Sequence, residues 1–353
     1  MTGHDENGDE GGRRGRRARV LKVAGLALAG LLVLGTGGAG WVYWHLNQNI
    51  RSVDIDSALG DDRPARAVVT PSAPASASAS PSPLPSGALN ILVLGSDSRS
   101  GGANARLGGG DSSGARSDTA MVVHVDAGRT RATVVSIPRD TLVTRPSCPL
   151  SSGGSTAVAY GAMFNSAYSV GGPVCAVKTV ESMTGVRMDH YVEIDFSGFA
   201  KLVNALGGVT VTTGQDIDDD KSRLHLAAGA HHLNGEQALA LARTRHGIGD
   251  GSDLGRIGLQ QKLVKALLEQ ISSADLLSDP AGLYGVVNAV TGSLTTDTGL
   301  DSLGELSKLG QSLKGLSADD VKTVMMPVAT ALSDPNRVVA REPEAGDLWN
   351  SLG

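Results

Sequence analysis

The chain has 353 residues, which is enough for one large domain or two ordinary ones. Hydrophobic residues make up 41% of it but aromatic residues only 3%, so the core must be built from Val, Leu, Ile and Ala. The formal net charge of −5 excludes a protein that binds nucleic acid through its overall charge.

The N-terminal segment predicts a membrane anchor. Residues 1–22 are polar and include the basic run RRGRRAR, whereas residues 23–44 carry no charge and end with Trp41, Tyr43 and Trp44. A helix of that length spans about 30 Å of hydrocarbon, and aromatic residues are typical of the membrane interface. A cleaved signal peptide is the alternative, but the apolar run is long and no small-residue cleavage site follows it. The basic flank keeps the N-terminus in the cytoplasm, so the rest of the chain is predicted to be extracytoplasmic.

Residues 45–87 are expected to be a stalk and linker. The first half is polar, and residues 70–86 consist mainly of Pro, Ala and Ser, a composition that cannot bury a core. The folded domain is therefore expected to span 88–353. When residues 1–44 are set aside, the chain carries 25 basic and 32 acidic residues, a net charge of −7. Any anion site in this domain must be a local cluster of basic residues.

Strand and helix patterns alternate through the folded part. Buried strands are predicted at 88–95, 119–126 and 131–137, and the last two are close enough to form a hairpin. The expected fold is α/β with α-β-α layers, in which helices cover a single mixed β-sheet. Next along the chain, the pattern predicts a helix that ends at Gly185 and then the strands HYVEID and VTVTT with a helix between them. A further helix begins with a capping box from Asn234 to Gln237, and the long amphipathic helix LGRIGLQQKLVKALLEQI follows it. The last predicted elements are two helices after Pro280 and a strand at 321–328.

Two aspartates lie where polar loops meet the first two predicted strands. Asp97 follows the strand ALNILVLG, and Asp118 directly precedes the strand TAMVVHVD. Loops at strand ends often hold ligands. Two carboxylates in one polar pocket need a counter-charge, and a hard divalent cation is suited to that role. Solvated loop aspartates are the alternative for these residues alone.

Basic residues accompany the same strand ends. Arg116 stands two residues before Asp118, and the stretch SIPRD presents Arg139 and Asp140 behind a proline at the end of a strand. Proline removes a backbone donor and favours the exit from a strand. An ordinary surface turn is the alternative for this stretch.

Two later segments carry further polar pairs. Arg243 and Arg245 in LARTRH point to the same side only in extended chain, so we predict that residues 243–245 are extended and that the preceding helix ends near Ala242. Arg256 and Gln260 have i, i+4 spacing at the start of the long helix, where an anion is favoured. The alternatives are a basic helix end that complements the helix dipole and a helix start that is merely polar.

The chain has two cysteines, Cys148 and Cys175. Outside the membrane such a pair can oxidise, and the Gly- and Ser-rich loop between them is flexible enough to close. We therefore predict a disulfide, with two free thiols as the alternative, and neither cysteine has the spacing of a metal ligand.

Seven motifs resemble those of the LytR-CpsA-Psr family, in the same order, over about residues 88–272. They are LGSDSR, RSDTAMVVHVD, SIPRD, NSAYSVGG, DHYVEIDFSGFAKLVNALGGVTV, LNGEQALALARTRH and DLGRIGLQQ. The resemblance implies a membrane-anchored envelope phosphotransferase that uses Mg²⁺ (or Mn²⁺). Such an enzyme moves a glycopolymer of the teichoic acid or arabinogalactan type from a polyprenyl-pyrophosphate carrier to peptidoglycan, typically to a hydroxyl of muramic acid.

The same motifs imply roles for individual residues. Asp97 and Asp118 would hold the metal, and Asp140 would orient neighbouring arginines. The sequence departs from the family where Leu259 replaces a frequent arginine, and where residues 100–115 form a Gly-rich insertion that is expected to act as a lid. The catalytic set implied is Arg116, Arg139 and Asp140, and the pyrophosphate set is Arg116, Arg139, Arg243, Arg245, Arg256 and Gln260.

Two other functions fit the same sequence. One is a non-catalytic binder of polyprenyl-phosphate lipids that regulates the envelope, and the other is a lipid pyrophosphatase in which water replaces the acceptor hydroxyl. Loss of a matched Arg or Asp would favour the binder, and all matched positions named above are present. The expected partners are the lipid-linked glycan, peptidoglycan and the bilayer, with no nucleic acid.

Overall fold

The computed structural model describes residues 38, 40–66, 87–96, 117–244, 253–273 and 280–353. Residues 40–48 are helical and belong to a unit that ends at Gln48, and Asn49–Gly353 form a second compact unit. Within those described ranges, no helix is both long and apolar enough to cross a bilayer. Most of the predicted anchor at 23–44, and the whole insertion at 100–115, lie outside them.

The second unit contains all of the strands and the eight α-helices numbered here. In chain order the strands are β1 (Arg51–Val53), β2 (Leu89–Ser96), β3 (Ser117–Val125), β4 (Ala132–Ile137), β5 (Leu142–Arg145), β6 (Ala159–Met163), β7 (His190–Asp195), β8 (Val209–Thr213), β9 (Ile217–Asp219), β10 (Leu224–Leu226), β11 (Gly229–Leu233), β12 (Leu294–Asp297), β13 (Val321–Met325), β14 (Val328–Ala331) and β15 (Asp334–Ala340). The helices are α1 (Ile55–Leu59), α2 (Phe164–Thr184), α3 (Phe196–Ala205), α4 (Gly235–Arg243), α5 (Asp253–Ser273), α6 (Pro280–Thr291), α7 (Leu303–Leu313) and α8 (Glu344–Asn350).

A seven-stranded mixed sheet forms the centre of this unit, in the order β1-β12-β7-β2-β3-β4-β13. Strands β2, β3 and β4 are antiparallel neighbours, whereas β7 runs parallel to β2, β13 parallel to β4, and β1 parallel to β12. The other strands described form two-stranded ribbons, β5–β6, β8–β11, β9–β10 and β14–β15. The predicted central mixed sheet and the β3–β4 hairpin are confirmed, whereas the prediction of a single sheet is not, because the predicted strand VTVTT (β8) pairs with β11 outside it.

Helices pack on both faces of this sheet. On one face α2 contributes Val177 and Val180 to a core that contains Leu92, Leu94 and Val122 of the sheet. The other face carries a separate core, which includes the strand residues Leu89, Ile91 and Val125, Leu300 of the short 3-10 helix Thr298–Leu300, and Leu309 of α7. Strands bury alternate residues on opposite faces, and this alternation produces the predicted α-β-α layers.

Glycines shape the long helix α2. It is kinked at Gly171 and Gly172, which have non-helical backbone angles, and Pro173 follows. Gly172 has a φ of 62°, a backbone conformation that residues other than glycine rarely adopt. The helix ends at Gly185, whose φ of 69° is left-handed, as the sequence predicts.

The folded domain begins well before Ala88, so the predicted boundary is wrong. Strand β1 pairs with β12 at the edge of the central sheet, and Ile55 and Leu59 of α1 are buried in the α2 core. Arg63 forms a buried ion pair with Glu181 of α2, with an Nη2–Oε1 distance of 2.6 Å. The polar stretch that suggested a stalk is thus attached to the domain by partners more than a hundred residues away.

The chain also continues past the strand that was predicted to be its last. That strand is present as β13, but the β14–β15 ribbon and helix α8 follow it. Trp349 and Leu352 are buried in the α2 core. The C-terminal end of the chain is therefore part of the same fold.

Candidate active site

The ends of several central strands meet at one edge of the sheet. Ser96, the last residue of β2, is in register with Ser117 at the start of β3 and with Asp195 at the end of β7. At the other side of β3, Ala120 is in register with Ile137, the last residue of β4. Neighbouring strands lie about 4.8 Å apart. The motifs LGSDSR, RSDTAM and SIPRD therefore converge at this edge, which we call the active-site edge.

Some predicted site residues fall outside the description of the structure. Asp97, Arg116 and Arg245 lie outside the described residues. Asp118 has its backbone in β3, directly beside the β2 bulge at Gly95 and Ser96, but its side chain is likewise outside. Their roles stay predictions.

The SIPRD turn is held in place by backbone hydrogen bonds. The Pro138 carbonyl accepts from both the backbone N–H and the hydroxyl of Thr141, at 3.1 and 2.6 Å. In turn, the Arg139 carbonyl accepts from the N–H of Asn165 at 3.1 Å, in the first turn of α2. The proline thus ends β4, and the start of α2 fixes the backbone that carries Arg139.

Asp140 lies between two guanidinium groups. Its Oδ2 is 3.6 Å from Nε of Arg139, and its Oδ1 is 3.1 Å from Nη1 of Arg337. The Arg139 and Asp140 side chains are only 15% and 18% exposed, so solvent screens this group less than it screens a surface pair. The geometry fits the implied role of Asp140 as a residue that orients arginines, and it adds Arg337 of β15 to the group.

Gln260 connects two motifs of the site. Its Nε2 donates to the Thr119 hydroxyl at 3.0 Å and to the Ala242 carbonyl at 2.9 Å. The opposite amide orientation would place Oε1 against that carbonyl, so the nitrogen must face it. Thr119 follows Asp118 and Ala242 precedes Arg243, so the Gln260 side chain joins the segments that carry them. Both of its N–H donors are used within the protein, which corresponds to a bracing role rather than the direct pyrophosphate contact that the motif implies.

Arg256 lies one helical turn before Gln260 on α5. The residue is only 4% exposed, and the i, i+4 spacing places it on the same helix face as Gln260. Away from water a charge interacts more strongly with an opposite charge, because the effective dielectric constant is lower. Arg256 therefore remains a candidate anion ligand, and its contact with pyrophosphate stays a prediction.

Arg243 is helical, which contradicts the prediction that residues 243–245 are extended. It is the last residue of α4, and the chain becomes extended only at Thr244, with φ −59° and ψ 131°. The Thr244 hydroxyl donates to the Ala240 carbonyl at 2.9 Å and so closes the last turn one residue later than predicted. The Arg243 guanidinium lies 5.1 Å from the ring centre of Phe196, which follows β7 directly.

The predicted disulfide is confirmed. Cys148 and Cys175 are bonded, across a sequence separation of 27 residues. Both are fully buried and pack with Ala167 of α2. Gly171 is required beside them, because a Cβ there would come within 2.7 Å of the Cys175 Cβ. The bond attaches the segment that follows SIPRD and β5 to the helix that positions Arg139.

A comparison with known protein families shows which family the chain belongs to. The sequence profile of the LytR_cpsA_psr family matches residues 42–352. The chain is a member of the LytR-CpsA-Psr family. The match includes the segment before Ala88, in agreement with the place of β1 and α1 in the fold.

Two curated relatives belong to cell-wall synthesis. LcpB of Corynebacterium glutamicum, a probable cell wall biosynthesis protein, is 34% identical over 263 residues, which cover 73% of this chain and 58% of LcpB. The polyisoprenyl-teichoic acid–peptidoglycan teichoic acid transferase TagV of Bacillus subtilis is 32% identical over 238 residues, which cover 66% of this chain and 57% of TagV. The matches thus span less than two thirds of the length of these relatives.

Solved structures show the same fold. The crystal structure of B. subtilis TagV matches with a TM-score of 0.58 and 26% identity, and the match covers 76% of this chain and 97% of that chain. A structure of TagT bound to LI-WTA matches with a TM-score of 0.54 and 25% identity, over 75% of this chain and 89% of that chain.

The LytR-CpsA-Psr assignment implies a divalent metal at Asp97 and Asp118. Two carboxylates are the hard oxygen ligands that Mg²⁺ prefers. Ser96, the residue before Asp97, is fully buried, and its hydroxyl is a third hard oxygen donor. The residue types therefore suit such an ion, and the site stays a prediction because the aspartate side chains lie outside the described residues.

Sequence reasoning missed Arg337 because no pattern marks it. The residue sits in the stretch DPNRVV, and its role depends on the β14–β15 ribbon. The backbone N–H of Val338 donates to the Asp140 carbonyl at 3.5 Å, and Thr141 forms an isolated bridge with Val338. The ribbon thereby brings Arg337 to SIPRD across nearly two hundred residues of sequence.

Proposed function

We propose that this protein transfers a glycopolymer from a polyprenyl-pyrophosphate carrier to peptidoglycan. The observation that carries the proposal is the convergence of the carboxylate and arginine motifs at the active-site edge. The printed name of TagV, a polyisoprenyl-teichoic acid–peptidoglycan teichoic acid transferase, supports the reaction class. A related TagT structure with LI-WTA bound supports a wall-polymer precursor as the donor.

Arginines suit this substrate better than lysines would. A guanidinium presents two parallel N–H donors to phosphate oxygens, and charge-assisted hydrogen bonds of this kind are about twice as strong as neutral ones. The part of the chain after residue 44 has a net charge of −7, so a pyrophosphate needs a local basic cluster there. Described members of that cluster are Arg139, Arg243 and Arg256.

The proposed reaction exchanges one phosphorus–oxygen bond for another. A hydroxyl oxygen of peptidoglycan attacks the phosphorus that bears the glycopolymer, and the bond from that phosphorus to the bridging oxygen breaks. Polyprenyl phosphate leaves, the hydroxyl proton is lost to water, and a phosphodiester joins the polymer to the wall. Positioning and charge neutralisation account for most of the catalysis in phosphoryl transfer, which matches a site built from oriented arginines.

Mg²⁺ (or Mn²⁺) is proposed as the cofactor, held by Asp97 and Asp118. When bound, it supplies positive charge against the phosphate oxygens. Asp140 keeps Arg139 and Arg337 in place by direct ion pairs, so that the guanidinium groups need little reorganisation when the substrate binds.

An apolar strip on the central sheet supports a lipid-linked substrate. Val93, Val123 and Val192 share the sheet face opposite α2, and all three are only half-buried although they lie on inner strands. Helix α6 is similar, since Leu283, Val286, Val287 and Val290 are also half-buried. The three valines pack against the core beneath α7 and keep part of their surface accessible. A polyprenyl chain is apolar throughout, so this accessible apolar surface suits it.

We further propose that the protein is anchored in the cell membrane by residues 23–44, with its catalytic unit outside. The uncharged run and its basic flank support this placement. Trp41, Tyr43 and Trp44, at the end of that run, are between 51% and 59% exposed in the structure.

The test is product analysis with full-length protein in detergent. The protein is incubated with a labelled lipid-linked oligosaccharide, peptidoglycan fragments and Mg²⁺, and the products are identified by mass spectrometry. We expect a phosphodiester conjugate of oligosaccharide and peptidoglycan. Free oligosaccharide phosphate without conjugate would instead indicate a pyrophosphatase, and tight donor binding with no product would indicate a lipid-binding regulator.

A further inference from the structure

A polar cavity of about 240 Å³ lies beside the active-site edge, and the proposed function leaves it without a role. Tyr168 of α2 lines one side of it, and Glu193 and Asp195 of β7 line another. Arg51 of β1, Thr295 of β12 and Ser293, just before β12, also contribute polar lining. The cavity is thus on the sheet face covered by α2, opposite the apolar strip.

Strand register places this cavity next to the reacting groups. Asp195 is in register with Ser96, the residue before Asp97. Glu193 is in register with Thr295, and Thr295 with Arg51, so these three side chains form a row across adjacent strands. Strands are about 4.8 Å apart, so a group held by Asp195 is one strand away from the metal motif.

A buried carboxylate with two tyrosine partners forms the base of the cavity. The Tyr168 hydroxyl donates to Glu193 Oε1 at 2.6 Å, and the Tyr191 hydroxyl donates to Oε2 at 2.7 Å. Glu193 is 7% exposed and Tyr191 is 1% exposed. A carboxylate has about four lone-pair sites, so Glu193 can still accept hydrogen bonds from a molecule in the cavity.

The charge of the cavity decides which chemistry it can bind. Among the lining residues that the structure describes, two carboxylates, Glu193 and Asp195, stand against one cation, Arg51. An anion such as pyrophosphate is repelled by that balance. A neutral molecule with many hydroxyl groups is favoured, because each hydroxyl can donate to a carboxylate and accept from the guanidinium or from Thr295.

We propose that this cavity binds one sugar ring of the peptidoglycan acceptor, with a hydroxyl directed toward the active-site edge. Pockets for drug-sized ligands enclose roughly 300–1,000 Å³, so a volume of 240 Å³ suits a single ring rather than an oligosaccharide. The lipid and the acceptor would then approach the same edge from opposite sheet faces. The identity of the sugar as the acceptor rests on the proposed function, whereas the binding of a sugar ring does not.

The test is calorimetric titration of full-length protein in detergent with the N-acetylglucosamine–N-acetylmuramic acid disaccharide, with its lactyl carboxylate converted to an amide so that the probe is neutral. Tyr168→Phe keeps the ring but removes the hydroxyl that holds Glu193 and can accept a hydrogen bond from the sugar, and Thr295→Leu fills the cavity. Each is expected to weaken disaccharide binding about tenfold or more. The first variant loses one to two hydrogen bonds, and the second loses cavity volume. The control is Thr212→Val, at an exposed position of β8 away from the cavity, and it should bind as the parent does.

The same variants are titrated with the lipid-linked donor, which should bind equally to all of them. Unchanged disaccharide affinity in both folded cavity variants, or no binding by the parent, would overturn the proposal. Weakened donor binding with unchanged disaccharide binding would also overturn it, because the cavity would then hold a donor sugar. If Thr295→Leu fails to fold, Tyr168→Phe alone decides. Since titration needs no turnover, a protein that binds the disaccharide but transfers nothing contradicts only the proposed function.

Discussion

Replacing Gln260 with leucine tests how the active-site edge is held together. The substitution removes the hydrogen bonds to the Thr119 hydroxyl and to the Ala242 carbonyl. A hydrogen bond contributes a net 0.5–1.5 kcal/mol, so the variant should lose about 1–3 kcal/mol of unfolding free energy. The segments that carry Asp118 and Arg243 would also lose their common support. Since misplacement by about 1 Å can cost about 100-fold in rate, we expect transfer to fall by roughly 10- to 100-fold.

Urea denaturation and initial transfer rates measure the two effects. The matched control is Gln270→Leu, on the same helix, whose Nε2 donates at 2.9 Å to the carbonyl of Leu206. That change also removes an amide–carbonyl hydrogen bond, but neither Gln270 nor Leu206 is among the candidate site residues. It should lower stability by about 0.5–1.5 kcal/mol and leave the transfer rate unchanged.

A double-mutant cycle separates bracing from direct contact with the substrate. Thr119→Val removes the hydroxyl that Gln260 contacts, so its effect on stability without ligand should overlap with that of Gln260→Leu rather than add to it. Strict additivity of the two free-energy changes would refute the bracing role. An unfolding midpoint for Gln260→Leu equal to that of the parent would refute it as well, because a residue that only binds substrate does not stabilise the free protein.

Three further predictions concern the rest of the fold. Replacing both Cys148 and Cys175 with serine should lower the unfolding free energy by about 3.5 kcal/mol, the chain-entropy value for a loop of 27 residues, and a urea midpoint equal to the parent's would contradict this. Arg63→Met leaves Glu181 buried without its partner and should lower the unfolding free energy by about 3–5 kcal/mol. Adding Glu181→Leu should restore much of the urea midpoint, and a double variant with no recovery would argue against the buried pair. Burial raises the pKa of Tyr191, so the unfolded chain loses the Tyr191 phenolic proton at a lower pH than the folded protein does. The unfolding free energy should therefore fall as the pH rises above about 10, whereas Tyr191 has no effect on it at lower pH. A Tyr191→Phe variant whose unfolding free energy falls as steeply with pH as the parent's would contradict the assignment.

The central elements of the fold could be predicted because their signals are local. Strands β2, β3 and β4 are rich in apolar and β-branched residues, with turn residues between them. The start of α4 follows from the capping box of Asn234 and Gln237, and the structure contains both of its hydrogen bonds. In these places short-range chemistry and the final structure agree.

The edges of the fold could not be predicted, because their stability comes from distant partners. Strand β1 has three residues, and its pairing partner β12 is more than two hundred residues away. Arg63 lies in a polar segment whose attachment depends on Glu181 in α2. No local pattern distinguishes such a segment from a linker.

The candidate site also combines features that local sequence predicts with features that depend on distant partners. The motif order placed Arg139 and Asp140 at a strand end, and the structure contains them there, at the end of β4. The hydrogen bonds of Gln260 and the ion pair of Arg337 join segments that are far apart in the sequence, and the spacing of residues within a motif does not predict such contacts. The end of α4 was missed by one residue because the Thr244 hydroxyl closes another turn.

The most direct test of the account is the rate of conjugate formation in a matched set of arginine variants. Full-length parent, Arg139→Ala and Arg341→Ala are compared with lipid-linked oligosaccharide, peptidoglycan fragments and Mg²⁺. Arg341 is 55% exposed and pairs with Glu344, so its loss should leave the rate unchanged. Arg139→Ala should form conjugate at least about 100-fold more slowly, as expected when a preorganised group that stabilises the transition state is removed. Conjugate formation at the parental rate by a folded Arg139→Ala protein would contradict the claim that transfer takes place at this edge of the sheet.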